Sequence, residues 1–144
     1  MNIKIVAICS ILLIVSACAT MPVPLSDSAM IPTERLLPGY QAVSKPGEGK
    51  AKVVIVRDSG ILGSGVKAKI LVNGEGVGLL WSGERLEFYL PLGDYILGVV
   101  PQPQLGGALQ ENSYSFKEPK TYFFRFSVSM SEGAMLRPTT QIRE

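Results

Sequence analysis

Lys67-Ala68-Lys69-Ile70-Leu71-Val72-Asn73-Gly74-Glu75-Gly76-Val77-Gly78-Leu79-Leu80 decides the fold. Val66, Ala68, Ile70 and Val72 alternate with Lys67, Lys69 and Leu71. A period of two is the mark of a strand with one face on a core and the other in water. Asn73-Gly74 comes next, and both residue types tolerate the positive φ of a tight hairpin turn. Val77 to Trp81 then supplies the return strand.

The same pattern extends in both directions. Upstream, Val53-Val54-Ile55-Val56 is a β-branched run typical of a buried strand over Lys52 to Arg57. Gly60-Ile61-Leu62-Gly63-Ser64-Gly65 interrupts it as a loop. That loop lacks the Lys-Ser/Thr and the following helix of a phosphate-binding P-loop, so it reads as plain surface. Downstream, Leu86, Phe88 and Leu90 alternate with Arg85, Glu87 and Tyr89, and Pro91-Leu92-Gly93-Asp94 turns the chain. Further strands are predicted at Tyr95 to Val100, at Asn112 to Lys117 with Tyr114 and Phe116 on one face, and at Thr121 to Ser129. In the last of these Tyr122, Phe124, Phe126 and Val128 face one way, while Phe123 breaks the polar face. A final strand is expected from Met135 to Ile142, with Pro138 marking it as an edge or bulged strand. Seven or eight short strands separated by Gly, Pro and Asn turns, with no convincing helix, predict an all-β fold. The expected form is an antiparallel β-sandwich over 51–144.

Ile70 to Gly78, followed by Leu90-Pro91-Leu92-Gly93-Asp94-Tyr95-Ile96-Leu97, resembles PEGA-type domains and related small domains of bacterial lipoproteins. Many of those carry Thr-Pro where this chain has Leu79-Leu80. The resemblance implies a β-sandwich at the cell surface and carries over no catalytic residue.

The N-terminus has its own pattern. Ile5 to Ala17 is an apolar run of 13 residues, short of the roughly 20 that span a bilayer. It follows Lys4 and ends in small residues, as the core of a signal peptide does. Leu12-Leu13-Ile14-Val15-Ser16-Ala17-Cys18 resembles the lipobox of bacterial lipoproteins. That resemblance implies removal of 1–17 and a lipid on Cys18, whose sulfur takes up a diacylglycerol. Two or three acyl chains then make attachment stable, where one alone binds marginally. Ala19 stands where an aspartate commonly retains such proteins in the inner membrane, which implies the outer membrane and a domain facing the periplasm. Two other readings stay open. One is an ordinary secretory signal with Ala17-Cys18-Ala19 as its small-x-small cleavage site; the other is a buried N-terminal element of a cytosolic protein.

Residues 18–50 contain Pro22, Pro24, Pro32, Pro38 and Pro46 and read as a tether between lipid and domain. About 32 flexible residues would span roughly 30 Å. Met30, Ile31, Leu36, Leu37 and Tyr40 offer the alternative of packing on the domain, with a short helix around Thr33 to Leu37.

Composition narrows the function. Loss of the leader removes Lys4 and leaves 13 basic against 12 acidic residues in 127. A near-neutral chain without a Lys/Arg cluster argues against nucleic acid as a partner. The chain has no His, and its two cysteines are Cys9 in the leader and Cys18. Ser-His-Asp and Cys-His catalysis and ordinary zinc sites therefore lack their residues. No cofactor or metal site is expected. Asp58, Glu84, Glu87 and Asp94 are the candidates for a catalytic carboxylate pair, and read first as solvated acids at strand ends. Trp81, Tyr89 and Tyr95 are the candidate ligand surface, since aromatic faces suit sugar rings and a site near peptidoglycan. Trp81 falls on an inward-facing position and reads first as core, leaving Tyr89 as the better-exposed candidate. Together these features predict a non-enzymatic, membrane-anchored lipoprotein presenting an interaction domain to an envelope protein complex. A peptidoglycan- or glycan-binding module is the alternative, with a carboxylate-based hydrolase behind it.

Overall fold

The computed structural model describes residues 20–103 and 107–140. The expected leader over 1–17 and Cys18 lie outside the described residues. Among the described residues nine strands form, in chain order: β1 (Ala29–Met30), β2 (Lys50–Arg57), β3 (Lys67–Val72), β4 (Glu75–Leu80), β5 (Glu84–Pro91), β6 (Gly93–Gln102), β7 (Gln110–Phe116), β8 (Thr121–Ser129) and β9 (Gly133–Pro138). They make a five-stranded sheet of order β1-β5-β2-β8-β9 and a four-stranded sheet of order β4-β3-β6-β7. The all-β sandwich predicted from the alternation is the fold observed.

The β3–β4 hairpin turns on Asn73 at φ 49° and Gly74 at φ 82°, the two positive values that match the strand twist. Inward rows from the two sheets meet in one core. Val53, Ile55, Leu86, Phe88 and Phe124 come from the first sheet, and Ile70, Leu80, Leu97 and Phe116 from the second. Each is at most 2% exposed.

Two pairings depart from a purely antiparallel sandwich. β2 runs parallel to β8, with Ile55 opposite Phe124, and β1 runs parallel to β5. The first sheet is therefore mixed. The last strand is shorter than expected and ends at Pro138, where β9 is the sheet edge.

The proline-rich segment is not a free tether. From Thr20 onward its described residues lie against the sandwich, and the expected 32-residue span gives way to a packed strap. Val23 and Leu25 cover Val54, Val56 and Phe123 on the outer face of the first sheet. This explains both the unbroken apolar run of β2 and the apolar Phe123 on an otherwise polar face. β1 then pairs with β5, with Ile31 N–H donating to Arg85 C=O at 3.1 Å. A 3₁₀ turn at Thr33–Arg35 leads to Leu37 and Gly39, whose N–H groups donate to Val77 and Gly76 of β4 at 3.1 Å each. One strap thus occupies one edge of each sheet, β5 of the first and β4 of the second. Covered edges are what a sandwich needs to avoid pairing with other chains. A one-turn helix, α1 (Tyr40–Val43), buries Val43 before the chain enters β2.

The strap requires Gly78. A Cβ there would lie 2.9 Å from Ile31 Cδ1 and 3.1 Å from Leu86 Cδ2. The missing side chain makes room for Ile31.

Candidate functional site

The parallel pairing of β2 and β8 brings their C-terminal ends to one end of the sandwich. The chain reaches that end at Thr20–Met21, the 58–66 loop, the Trp81–Gly83 turn, the 107–109 segment and the 130–132 turn. Thr20 N–H donates to Val128 C=O at 3.0 Å, and Met21 and Ser59 exchange backbone bonds at 2.7 and 3.0 Å. The beginning of the strap is thereby fixed to the same end.

A cleft of about 470 Å³ opens there between the sheets, its apolar wall formed by Val66, Ala68, Val99, Phe126, Val128 and Ala134. Clefts of several hundred Å³ with mostly apolar walls are the usual form of ligand sites. Arg57 lies in its wall and is 3% exposed. β2 continues its inward alternation from Val53 and Ile55 to Arg57, which places a guanidinium inside the sandwich. Nη1 donates to Val66 C=O at 2.8 Å and to Leu80 C=O at 2.6 Å, and Nη2 donates to Gly63 C=O at 2.6 Å. The guanidinium also lies over the Phe126 ring, 5.5 Å from its centroid. It makes no ion pair among the described residues. Burial pushes its pKa down, and the charge of Glu84 only partly offsets this. Carbonyl dipoles in place of a carboxylate leave a net positive charge in the cleft wall.

Beside it, Asp58 is 1% exposed and receives Arg125 at 2.6–2.8 Å and the Thr20 hydroxyl at 3.2 Å. This pair ties β2, β8 and the start of the strap together. Asp58, a carboxylate candidate from the sequence, is thus taken up by Arg125, whereas neither Arg57 nor Arg125 is singled out as a site by the sequence. The available signal was an Arg-Asp dipeptide in which Arg57 falls on the inward set of a buried strand.

The three aromatic candidates do not converge. Trp81 is not core: it stands one residue past the end of β4, is 37% exposed, and has the Lys67 ammonium 5.4 Å from its ring centroid. Tyr89 lies on the outer face of the first sheet opposite Lys52. Tyr95 is on the inner side of the second sheet, its ring 5.9 Å from that of Phe116. They occupy three separate surfaces and make no shared platform.

The acidic candidates are likewise dispersed and matched. Glu84 accepts from Arg35 Nη1 at 2.6 Å and from Trp81 N–H at 2.7 Å. Glu87 meets Lys52 at 2.7 Å and Arg85 at 3.2 Å. Asp94 accepts from the Ser115 hydroxyl near the opposite end. Burial works to raise Glu84 and Glu87, but their cationic hydrogen-bond partners outweigh it and hold both below the ordinary carboxylate value. A general acid needs its pKa displaced upward, toward neutrality. No group of three or more acidic or thiol ligands able to hold a metal occurs among the described residues. No helix of the described residues is long and apolar enough to cross a membrane. Comparison with family models and with curated proteins finds no match to this chain.

Proposed function

We propose that the chain is a non-enzymatic lipoprotein of the cell envelope. In this reading it is held in the outer membrane by a lipid on Cys18, and its β-sandwich is an interaction domain facing the periplasm. The kinship with PEGA-type domains belongs to the same proposal, resting on the hairpin around Asn73-Gly74 and the turn before Tyr95.

One observation carries the reading. Thr20, two residues after Cys18 in sequence, is already held against the domain by its bond to Val128. A lipid at Cys18 would hang from the end of the sandwich that bears the cleft, and two residues reach at most about 7 Å. The lipobox-like run is thus followed within two residues by chain that is fixed to the domain, which supports a lipid attached close to this end.

The test is mass spectrometry of the mature protein from membranes. The expected N-terminus is Cys18 carrying a diacylglyceryl group, lost in Cys18→Ser together with membrane retention. An unmodified N-terminus at Ala19 or beyond would refute the reading.

A further inference from the structure

Among the described residues, the large exposed apolar side chains are unevenly placed. Met21 is 70% exposed, Ile61 86%, Met130 73%, Leu109 45% and Trp81 37%. All five stand at the end of the sandwich where Thr20 is fixed. Met21 and Ser59 are bridge partners, and Ile61 is two residues beyond Ser59. Met130 is two residues beyond Val128, the partner of Thr20. Met30 lies on the β1 edge, and Leu92 and Ile96 lie toward the opposite end. Single apolar residues scattered over a surface need no explanation, but a cluster at one end does.

The charges at the same end fit one kind of partner. Asp58 is matched by Arg125, Glu84 by Arg35 and Glu132 by Arg137. Lys67 makes no ion pair among the described residues and sits beside Trp81. A tryptophan with a lysine at its side is the pairing found at membrane interfaces, where the ring lies at headgroup level and the ammonium meets phosphate.

We infer that this end is a bilayer-docking surface, with Met21, Ile61 and Met130 entering the apolar boundary and Trp81 and Lys67 at headgroup level. The inference rests on the lipoprotein reading, because the Cys18 lipid brings this end and no other to the membrane. Side chains of this kind reach about 5–10 Å into the interface, too shallow to anchor alone. Their role is to fix the pose of a domain that the lipid retains.

The test uses the full lipidated chain in vesicles of phosphatidylethanolamine and phosphatidylglycerol. Cys9 leaves with the leader and the Cys18 sulfur is acylated, so Ile61→Cys, Met130→Cys and Leu92→Cys each present one thiol for an environment-sensitive dye. Positions 61 and 130 should give blue-shifted emission quenched by spin-labelled lipid. Position 92 should report water. Adding Met21→Asp to the labelled Ile61→Cys chain should reduce the shift at 61 while leaving acylation intact. Equal, water-like emission at all three positions on vesicle-bound, acylated protein overturns the docking surface and leaves the lipoprotein reading standing. An unacylated Cys18 in the mass spectrum overturns both.

Discussion

Ile31→Ala tests whether the strap is part of the folded domain. Ile31 is 5% exposed and belongs to the main core between the sheets. The substitution removes three carbon groups, a transfer loss of about 2.4 kcal/mol at about 0.8 kcal/mol each. Ile31 Cδ1 rests over Gly78, which has no side chain to fill the vacated space. A cavity contribution therefore adds to the loss, for a total of about 2.5–4 kcal/mol. In a domain of this size that corresponds to a fall in Tm of roughly 8–15 °C. Urea unfolding of the chain from Ala19 onward would show the midpoint fall with an unchanged slope. Ile31→Val should cost about 1 kcal/mol and keeps the comparison measurable if the alanine variant is poorly folded. If residues 20–50 were a solvated tether, Ile31 would be equally exposed in both states. A change below about 0.5 kcal/mol for Ile31→Ala, the ordinary size of a surface substitution, would refute the packed strap.

Three further outcomes follow from the same geometry. Arg57→Leu removes donors from the carbonyls of Gly63, Val66 and Leu80 and should destabilise by about 2–4 kcal/mol, with faster hydrogen exchange in the 58–66 loop. Asp58→Asn removes the ion pair with Arg125 and one of the two oxygens that accept from Arg125 and Thr20 and should cost about 2–3 kcal/mol, less than a fully buried pair because Arg125 stays partly exposed. Glu84 and Glu87 are held below their ordinary value of 4.5, so the unfolded chain takes up protons first on acidification. Their contribution is present above about pH 4.5 and is lost as pH falls through the depressed values. Urea midpoints measured between about pH 6 and pH 3 should decline, and the decline should be shallower in the Glu84→Gln/Glu87→Gln double variant.

Most strands were legible because a period of two is a local property. Asn73-Gly74 marked a turn for the same reason: its chemistry lies within two residues. The pairing of β2 with β8 was not legible, since Val53 and Tyr122 are brought together across the whole domain and neither strand's alternation names its neighbour. The parity of Val77 points Trp81 inward, but a register shift in the β3–β4 pair between Ile70 and Leu71 breaks that parity, so Leu80 is buried and Trp81 is not. Arg57 shows the converse. Parity held at that position, but an inward guanidinium is tolerable only because three loop and strand-end carbonyls converge on it, and sequence does not place carbonyls.

Residues 18–50 read first as a tether, with packing of Met30 to Tyr40 on the domain as the alternative, and the sequence holds a signal that favours the alternative. Dense proline excludes a helix or a central strand, and from there a free chain is a short step. Proline does not exclude packing at an edge, where a few backbone donors and one apolar side chain per turn suffice, as Ile31, Leu37 and Val43 show. The missed signal lay in β2. Val53-Val54-Ile55-Val56 is apolar on both faces, and a strand of that kind in a two-layer sandwich must be covered on its outer face as well. Phe123 on the neighbouring strand widens the same apolar strip. Something outside the two sheets had to cover Val54, Val56 and Phe123, and the apolar residues between the prolines, Val23 and Leu25, were available nearby in sequence. Read together, the doubly apolar strand and the proline-spaced apolar residues specify a strap, and the distance from Cys18 to the domain shrinks from roughly 30 Å to the reach of two residues.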